Sequence, residues 1–306
     1  MKHLKYLAIS AIVATTLIAG CSSLGKAIEE ALKIKPDYYT QIKTIAPIER
    51  KYTQMGNLTV ASQVFPSNDA RFKSYKVWYP ADITQNGKSY PVIVSANGTG
   101  FPYQKYEPVL ERLASFGFVV IGNDDGTSWS GLSSSQSLAL LNQLNSDKNS
   151  LFYNKLQVNN AGIIGHSQGG FSVINAITVQ PHNQQFKSAV ILSSNAQTNT
   201  ALKWTADATK VRVPTLILGS TGKVDEALAS LSSLQALYHQ IPSNVPTVLA
   251  RRKEADHGDM LYKGDGYMTA WFLYHLKNDV QAAQAFVGNK PEIANNGLWQ
   301  DVQIKK

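Results

Sequence analysis

A glycine-rich stretch, Gly165-His166-Ser167-Gln168-Gly169-Gly170, follows the apolar run Gly162-Ile163-Ile164 and leads into Phe171 to Val179, whose apolar spacing is helical. A serine at such a strand-to-helix turn sits on a strained backbone that lifts its hydroxyl clear of the sheet, and the glycines let strand and helix close around it. A hydroxyl is a poor nucleophile until a base takes its proton, and an imidazole base needs a third group to fix its tautomer. The chain must therefore supply an acid and a histidine. After Val213 to Gly219, the loop Ser220-Thr221-Gly222-Lys223-Val224-Asp225-Glu226 offers Asp225, with Glu226 as the alternative; after the next apolar run, Asp256-His257-Gly258-Asp259 offers His257. Attack of the serine on an acyl carbon would place negative charge on oxygen, which needs two aimed donors. The backbone amide of Gln168 is expected to be one, and the turn Asn97-Gly98-Thr99-Gly100 offers Thr99 or Gly98 as the other.

The remaining ionisable residues have plainer readings. His3 lies near the start of the chain, His166 beside the serine points into structure, His182 and His239 fall at loop or helix ends, and His275 sits in an aromatic helix. Asp256 and Asp259 are too close to His257 in sequence to orient its ring easily, so loop capping is expected of them. Asp124, Asp125 and Trp129 follow an apolar run on the side where strand ends deliver loops, and Asp124 and Trp129 are candidates for a substrate pocket.

These residues need a scaffold of parallel strands. Five short, unalternating runs rich in β-branched residues stand out: Val92-Ile93-Val94, Phe118 to Ile121, Gly162 to Ile164, Ala189 to Leu192 and Thr215 to Leu218. Such runs are expected of strands covered on both faces. Helical segments lie between them, for example Val109, Leu110, Leu113 and Phe116, with Pro108 in the first turn and Gly117 at the stop. Leu58 to Phe65 and Tyr75 to Tyr79 read as antiparallel strands placed before the series, and Thr247 to Arg251 as the last strand. The result is an α/β sheet, mostly parallel, of about eight strands with helices on both faces.

With 306 residues, 43% hydrophobic and 16% charged, the chain suits one large globular domain. The formal charge is +8, and losing Lys2 and Lys5 would leave +6, spread without a run, so no nucleic-acid surface is expected. Cys21 is the only cysteine, which excludes an intrachain disulfide and a multi-cysteine zinc site. No His-Glu-x-x-His or phosphate-cradling loop is present, and no cofactor, metal or protein partner is expected. Lys2 and Lys5 precede an apolar stretch from Tyr6 to Ile18 that is short for a membrane span and ends in small residues, as secretory leaders do. The close Ile18-Ala19-Gly20-Cys21 resembles a bacterial lipobox, which implies lipid on Cys21 as the new N-terminus, and Ser22 is compatible with outer-membrane sorting. The expected organisation is a leader over 1–20, a tether and extension over 21–54 with a short helix at Lys26 to Lys33, and a catalytic domain over 55–306. The expected location is the bacterial cell envelope, at the outer membrane, facing the periplasm or the cell surface.

From about Pro91 to Gly288 the chain resembles an α/β-hydrolase of the branch that holds chlorophyllase-like, dienelactone-hydrolase-like and polyester (PET, cutinase) hydrolases. The stretches that carry the likeness are Asn97 to Gly100, the run Arg112-Leu113-Ala114-Ser115-Phe116-Gly117-Phe118-Val119-Val120, the Ser167 turn, Pro214 to Gly219, and Ala270-Trp271-Phe272-Leu273 with Lys277-Asn278-Asp279. The order Ser167, Asp225, His257 is that of this fold. The resemblance implies a serine hydrolase of carboxylic esters. It departs from the polyester enzymes in having Gly98-Thr99 where they place an aromatic residue, Gln168 where they place methionine, and Asn195 at their aromatic clamp, which makes Asn195 a pocket candidate. A peptidase or acyltransferase would use the same three residues, and a non-catalytic lipoprotein could reuse the fold.

Overall fold

The computed structural model describes residues 34–197 and 201–306. The leader, Cys21 and the expected helix at Lys26 to Lys33 lie outside the described residues.

One nine-stranded sheet organises the chain. Its strands are β1 (Val60–Pro66), β2 (Ser74–Pro80), β3 (Tyr90–Ala96), β4 (Val119–Asn123), β5 (Leu156–His166), β6 (Phe186–Leu192), β7 (Thr215–Ser220), β8 (Thr247–Arg252) and β9 (Trp299–Lys305). They are ordered β1-β2-β4-β3-β5-β6-β7-β8-β9. The block from β4 to β8 is parallel, while β1, β2 and β9 pair antiparallel at the two edges. Every residue of β3, β4, β7 and β8 is buried. Side chains alternate between the two faces, as the pleat requires. Val92 and Val94 join one core cluster while Ile93 joins the other; likewise Ile217 faces away from Leu216 and Leu218.

Helices cover both faces. In chain order they are α1 (Pro47–Thr53), α2 (Glu107–Ala114), α3 (Leu132–Ser146), α4 (Gln168–Thr178), α5 (Lys223–Leu228), α6 (Leu231–Gln240), α7 (Met260–Lys263), α8 (Asp265–Lys277), α9 (Val280–Ala283) and α10 (Glu292–Asn295). Core side chains of α1, α2 and α8 share one cluster, and those of α3, α4 and α6 share the other. Gly117, just past α2, takes φ +81° as the stop signal anticipates.

One finding differs from the sequence reading. The last strand is β9, not Thr247 to Arg251; a register shift opposite Leu249 and Arg251, with Asp301 at φ 55°, breaks the alternation that would have revealed it. The tether, expected to end by packing onto the domain, is packed against it from Ile34 onward. Tyr38 donates its hydroxyl to Asp265, and Arg112 Nε reaches both Asp265 Oδ2 and the Tyr38 hydroxyl at 3.0 Å. Glu292 caps α1 by accepting from the amides of Ile48 and Glu49 at 2.8 Å each.

The carboxylate of Glu49, 1% exposed, accepts from Arg252, from Trp299 Nε1 at 2.8 Å and from Asn296 Nδ2 at 2.8 Å, so α1, β8 and β9 converge on one charge. Removing that carboxylate strands a buried guanidinium. Glu49→Ala should lower the unfolding free energy by about 3 to 5 kcal/mol in urea titration. A second, half-buried group ties stability to pH. His275 packs on Trp271 and Tyr274 with ring centroids 4.2 Å away in each case, its Nε2 has no hydrogen-bond partner among the described residues, and burial pushes its pKa down to about 4. A depressed histidine stabilises the fold above its unfolded pKa, and that contribution is lost as pH falls through the folded value. Between pH 7 and 4.5, His275→Phe should therefore lose about 2 kcal/mol less stability than the wild type, measured by denaturant titration at each pH.

Candidate active site

Ser167 ends β5 and begins α4 with φ 56° and ψ −120°, a conformation that a non-glycine residue adopts only under constraint. The constraint is packing. A Cβ on Gly165 would meet the carbonyl oxygen of Gly169 at 2.1 Å, and one on Gly169 would meet that of Ala96 at 2.4 Å. Strand and helix thus approach closely enough to hold the serine in its turn, and its amide donates to the Leu192 carbonyl at 2.9 Å.

His257 Nδ1 lies 2.9 Å from Asp225 Oδ1. Asp225 is fully buried and its other oxygen accepts from Ser193 Oγ at 2.9 Å, Ser220 Oγ at 2.8 Å and the Ser220 amide. Burial alone would raise its pKa, but the hydrogen bonds from His257 and Ser220 outweigh this and hold the carboxyl below its ordinary range. Asp225 lies on α5, a short helix where the sequence reading had a loop. Glu226, the alternative acid, is on the outside of that helix paired with Arg251, so the two neighbouring carboxylates face opposite environments.

Asp256 and Asp259 act on the backbone around His257. Asp256 Oδ1 accepts from the amides of His257 at 2.8 Å and Asp225 at 2.9 Å, which clamps the acid-bearing helix to the histidine loop. Asp259 Oδ2 accepts from the Asp256 amide at 3.0 Å, completing a reciprocal cap. His166 supports the same loop. Its Nε2 is 2.7 Å from the His257 carbonyl, which can only accept, so that nitrogen carries the proton. Burial, with His257 alongside, pushes the His166 pKa down to about 3, and the ring stays neutral.

Ser167, His257, Gly98 and Thr99 all open onto one cleft of about 700 Å³. A Cβ on Gly98 would lie 3.7 Å from that of Ser167, so the Gly98 backbone runs beside the serine. Its loop is anchored from below: Asn97 Nδ2 donates to the carbonyls of Asn123 at 2.8 Å and Asp125 at 2.9 Å, and Ser128 Oγ donates to the Asn97 carbonyl at 2.6 Å. Gln168 supplies the first amide of α4, which has no intrahelical acceptor. Its side chain is buried and makes no hydrogen bond among the described residues.

The three pocket candidates lie elsewhere. Asp124 accepts from the amides of Lys73 and Ser74 at 2.8 and 3.0 Å, Asn195 donates to the Leu228 carbonyl at 3.1 Å, and Trp129 accepts from Asn175 at 3.0 Å through its carbonyl; none lines the cleft. The wall comes instead from residues the sequence reading passed over. Phe101, stacked on Tyr106 at 6.2 Å and 11°, places an aromatic ring three positions beyond Gly98. Leu261, Tyr262 and the segment Ile34–Ile42 make up much of the rest. Among the described residues no group of three or more His, Cys, Asp or Glu is placed to hold a metal, and no helix is long and apolar enough to cross a membrane.

A family model described as PET hydrolase-like matches residues 44–300. Among curated proteins the chain is similar to Cutinase 2 of Thermobifida cellulosilytica, 27% identical over 198 residues that make up 63% of this chain and 70% of that protein. It is also similar to Cutinase cut1 of Thermobifida fusca, 27% identical over 198 residues covering 63% of this chain and 57% of that protein. Cutinase est1 of Thermobifida alba is 27% identical over 233 residues, 74% of this chain and 71% of that protein. The chain belongs to the PET hydrolase-like family, within the α/β-hydrolase fold, and is a carboxylic ester hydrolase.

Proposed function

We propose that the protein is an esterase of the bacterial cell envelope that works through an acyl-enzyme on Ser167 and is held at the membrane by lipid on Cys21. One observation carries the catalytic part: a serine on a strained turn and a histidine bonded to a buried carboxylate open onto the same cleft.

The chemistry follows from which atoms are already committed. Asp225 holds the proton of His257 on Nδ1, which leaves the Nε2 lone pair as the base. His257 takes the Ser167 proton as Oγ attacks the ester carbon, and Asp225 stabilises the imidazolium that forms. The carbonyl oxygen, now negative, accepts from the Gln168 amide and from the backbone at Gly98 or Thr99. His257 passes its proton to the alcohol oxygen as the carbon–oxygen bond breaks. Water then repeats the sequence on the acyl-enzyme and frees the acid and Ser167. The cutinase names of the relatives support an ester substrate.

The anchor rests on sequence: basic residues, a short apolar stretch and Cys21 after Ile18-Ala19-Gly20. Several acyl chains hold a protein far more firmly than one, so a lipid-modified N-terminal cysteine suffices for stable attachment.

Ser167→Ala should lower kcat/KM on short p-nitrophenyl esters by about 10⁴-fold or more and abolish labelling by a fluorophosphonate probe. Asp225→Asn should lower kcat by about 10³- to 10⁴-fold, and Glu226→Gln should stay within about twofold; a larger effect at Glu226 would transfer the acid's role to it. For the anchor, the full chain expressed in a Gram-negative host should fractionate with membranes and incorporate labelled palmitate. Cys21→Ala should lose the label, and labelling that survives this change would refute lipidation at Cys21.

A further inference from the structure

The segment Ile34–Ile42 takes no part in the steps above, yet it forms one side of the cleft. Ile34, Tyr38 and Ile42 share the wall with Phe101, Leu261 and Tyr262. These three precede residue 44, where the family match begins, so this wall is an addition to the part of the chain that the family model describes.

The segment is fixed on both sides of the cleft mouth. The Ile34 amide donates to the Lys105 carbonyl at 2.9 Å, close beyond the loop that carries Gly98 and Thr99. Tyr38 is pinned by Asp265 and Arg112, and its ring meets that of Tyr262 edge-on at 5.8 Å. Just past Ile42, the Lys43 ammonium pairs with Glu254 at 2.9 Å and its carbonyl accepts from Arg252. The segment therefore bridges from the oxyanion loop to the loop that carries His257, with its backbone tied at both ends and Tyr38 held in place before any substrate arrives. Such preorganisation is what converts apolar contact into selectivity.

The reaction decides which part of the substrate meets this wall. His257 must hand its proton to the oxygen of the departing alcohol, so the alcohol lies on the His257 side of the cleft, whose wall Leu261 and Tyr262 share. Tyr38 packs on Tyr262 and continues that surface. We propose that Ile34–Ile42 is the specificity-determining wall for the alcohol portion of the ester, selecting alcohols with an apolar body, an alkyl chain or an aryl ring. This rests on the triad reading above and names the substrate class of that same site.

The test is a matrix of kcat/KM values on the full chain: butyrate esters of methyl, butyl, benzyl and naphthyl alcohols, and p-nitrophenyl esters from acetate to octanoate. Ile34 and Ile42 are only partly buried, and a melting curve on each variant checks that the fold is kept. The double variant Ile34→Ala/Ile42→Ala should lose about tenfold of the preference for butyl and benzyl over methyl, with the acyl ranking unchanged. Ile42→Trp should cut turnover of the naphthyl ester at least about tenfold relative to methyl. A shift under twofold in the alcohol ranking with both variants, or a change confined to the acyl series, would overturn the wall. Ser167→Ala separates the two readings. Wild-type rates in that variant overturn the triad and the wall together, whereas loss of activity there beside an unaltered alcohol ranking overturns the wall alone.

Discussion

The backbone at Ser167 is held at φ 56° and ψ −120° against a local preference for other conformations, and much of the molecule exists to hold it there. A residue in such a conformation costs about 1 to 3 kcal/mol, which must be offset by packing around it. The offset comes from β5 and α4 meeting at glycine distance, with β3 pressed against Gly169 on one side and β6 accepting the Ser167 amide on the other. Those strands are buried on both faces, so shifting the turn would shift the core. The strain is confined to one residue because its neighbours have no freedom to share it.

The same logic of fixed neighbours governs the histidine. Asp225 is set by Ser193 at the end of β6, by Ser220 at the end of β7, and through its amide by Asp256 after β8. Three successive strand ends thus agree on the place of one carboxylate. His166 and the reciprocal cap of Asp256 and Asp259 then fix the backbone of His257. Buried charges do comparable work farther out. Glu49 with Arg252 joins α1 to β8, and Asp265 with Arg112 joins α8 to α2 and receives the Tyr38 hydroxyl of the N-terminal segment. Each pair is nearly without solvent, and detaching α1 would leave Arg252 an uncompensated charge.

How much of this was legible follows from which contacts are local. The parallel strands could be read because burial on both faces selects continuous β-branched runs, and Val92 to Val94 or Ala189 to Leu192 carry that selection openly. The serine turn was legible because close approach leaves only glycine. β9 was not, since Trp299-Gln300-Asp301-Val302-Gln303-Ile304-Lys305 is a half-buried edge strand with a bulge at Asp301. The acid was legible only to within one residue. Asp225 and Glu226 are adjacent, and the helix turns them about 100° apart, one to the core and one to solvent. The cleft wall was the least legible part: Ile34 to Ile42 reads as the end of a tether that packs onto the domain, and where it packs is not legible because its anchors, Asp265 and Arg112, stand far along the chain.

Sequence by itself determined the serine turn, the candidate acid and base, the strands that precede them and the order in which they occur. These depend on short-range patterns: continuous β-branched runs, glycine at close approach, a hydroxyl before a helix. Only the tertiary structure decided which carboxylate faces His257, that Asp124, Trp129 and Asn195 stand away from the cleft, and that an N-terminal segment closes one side of it. Those outcomes depend on where distant segments come to rest, and the packing that places them is a property of the whole core that no local window of residues records.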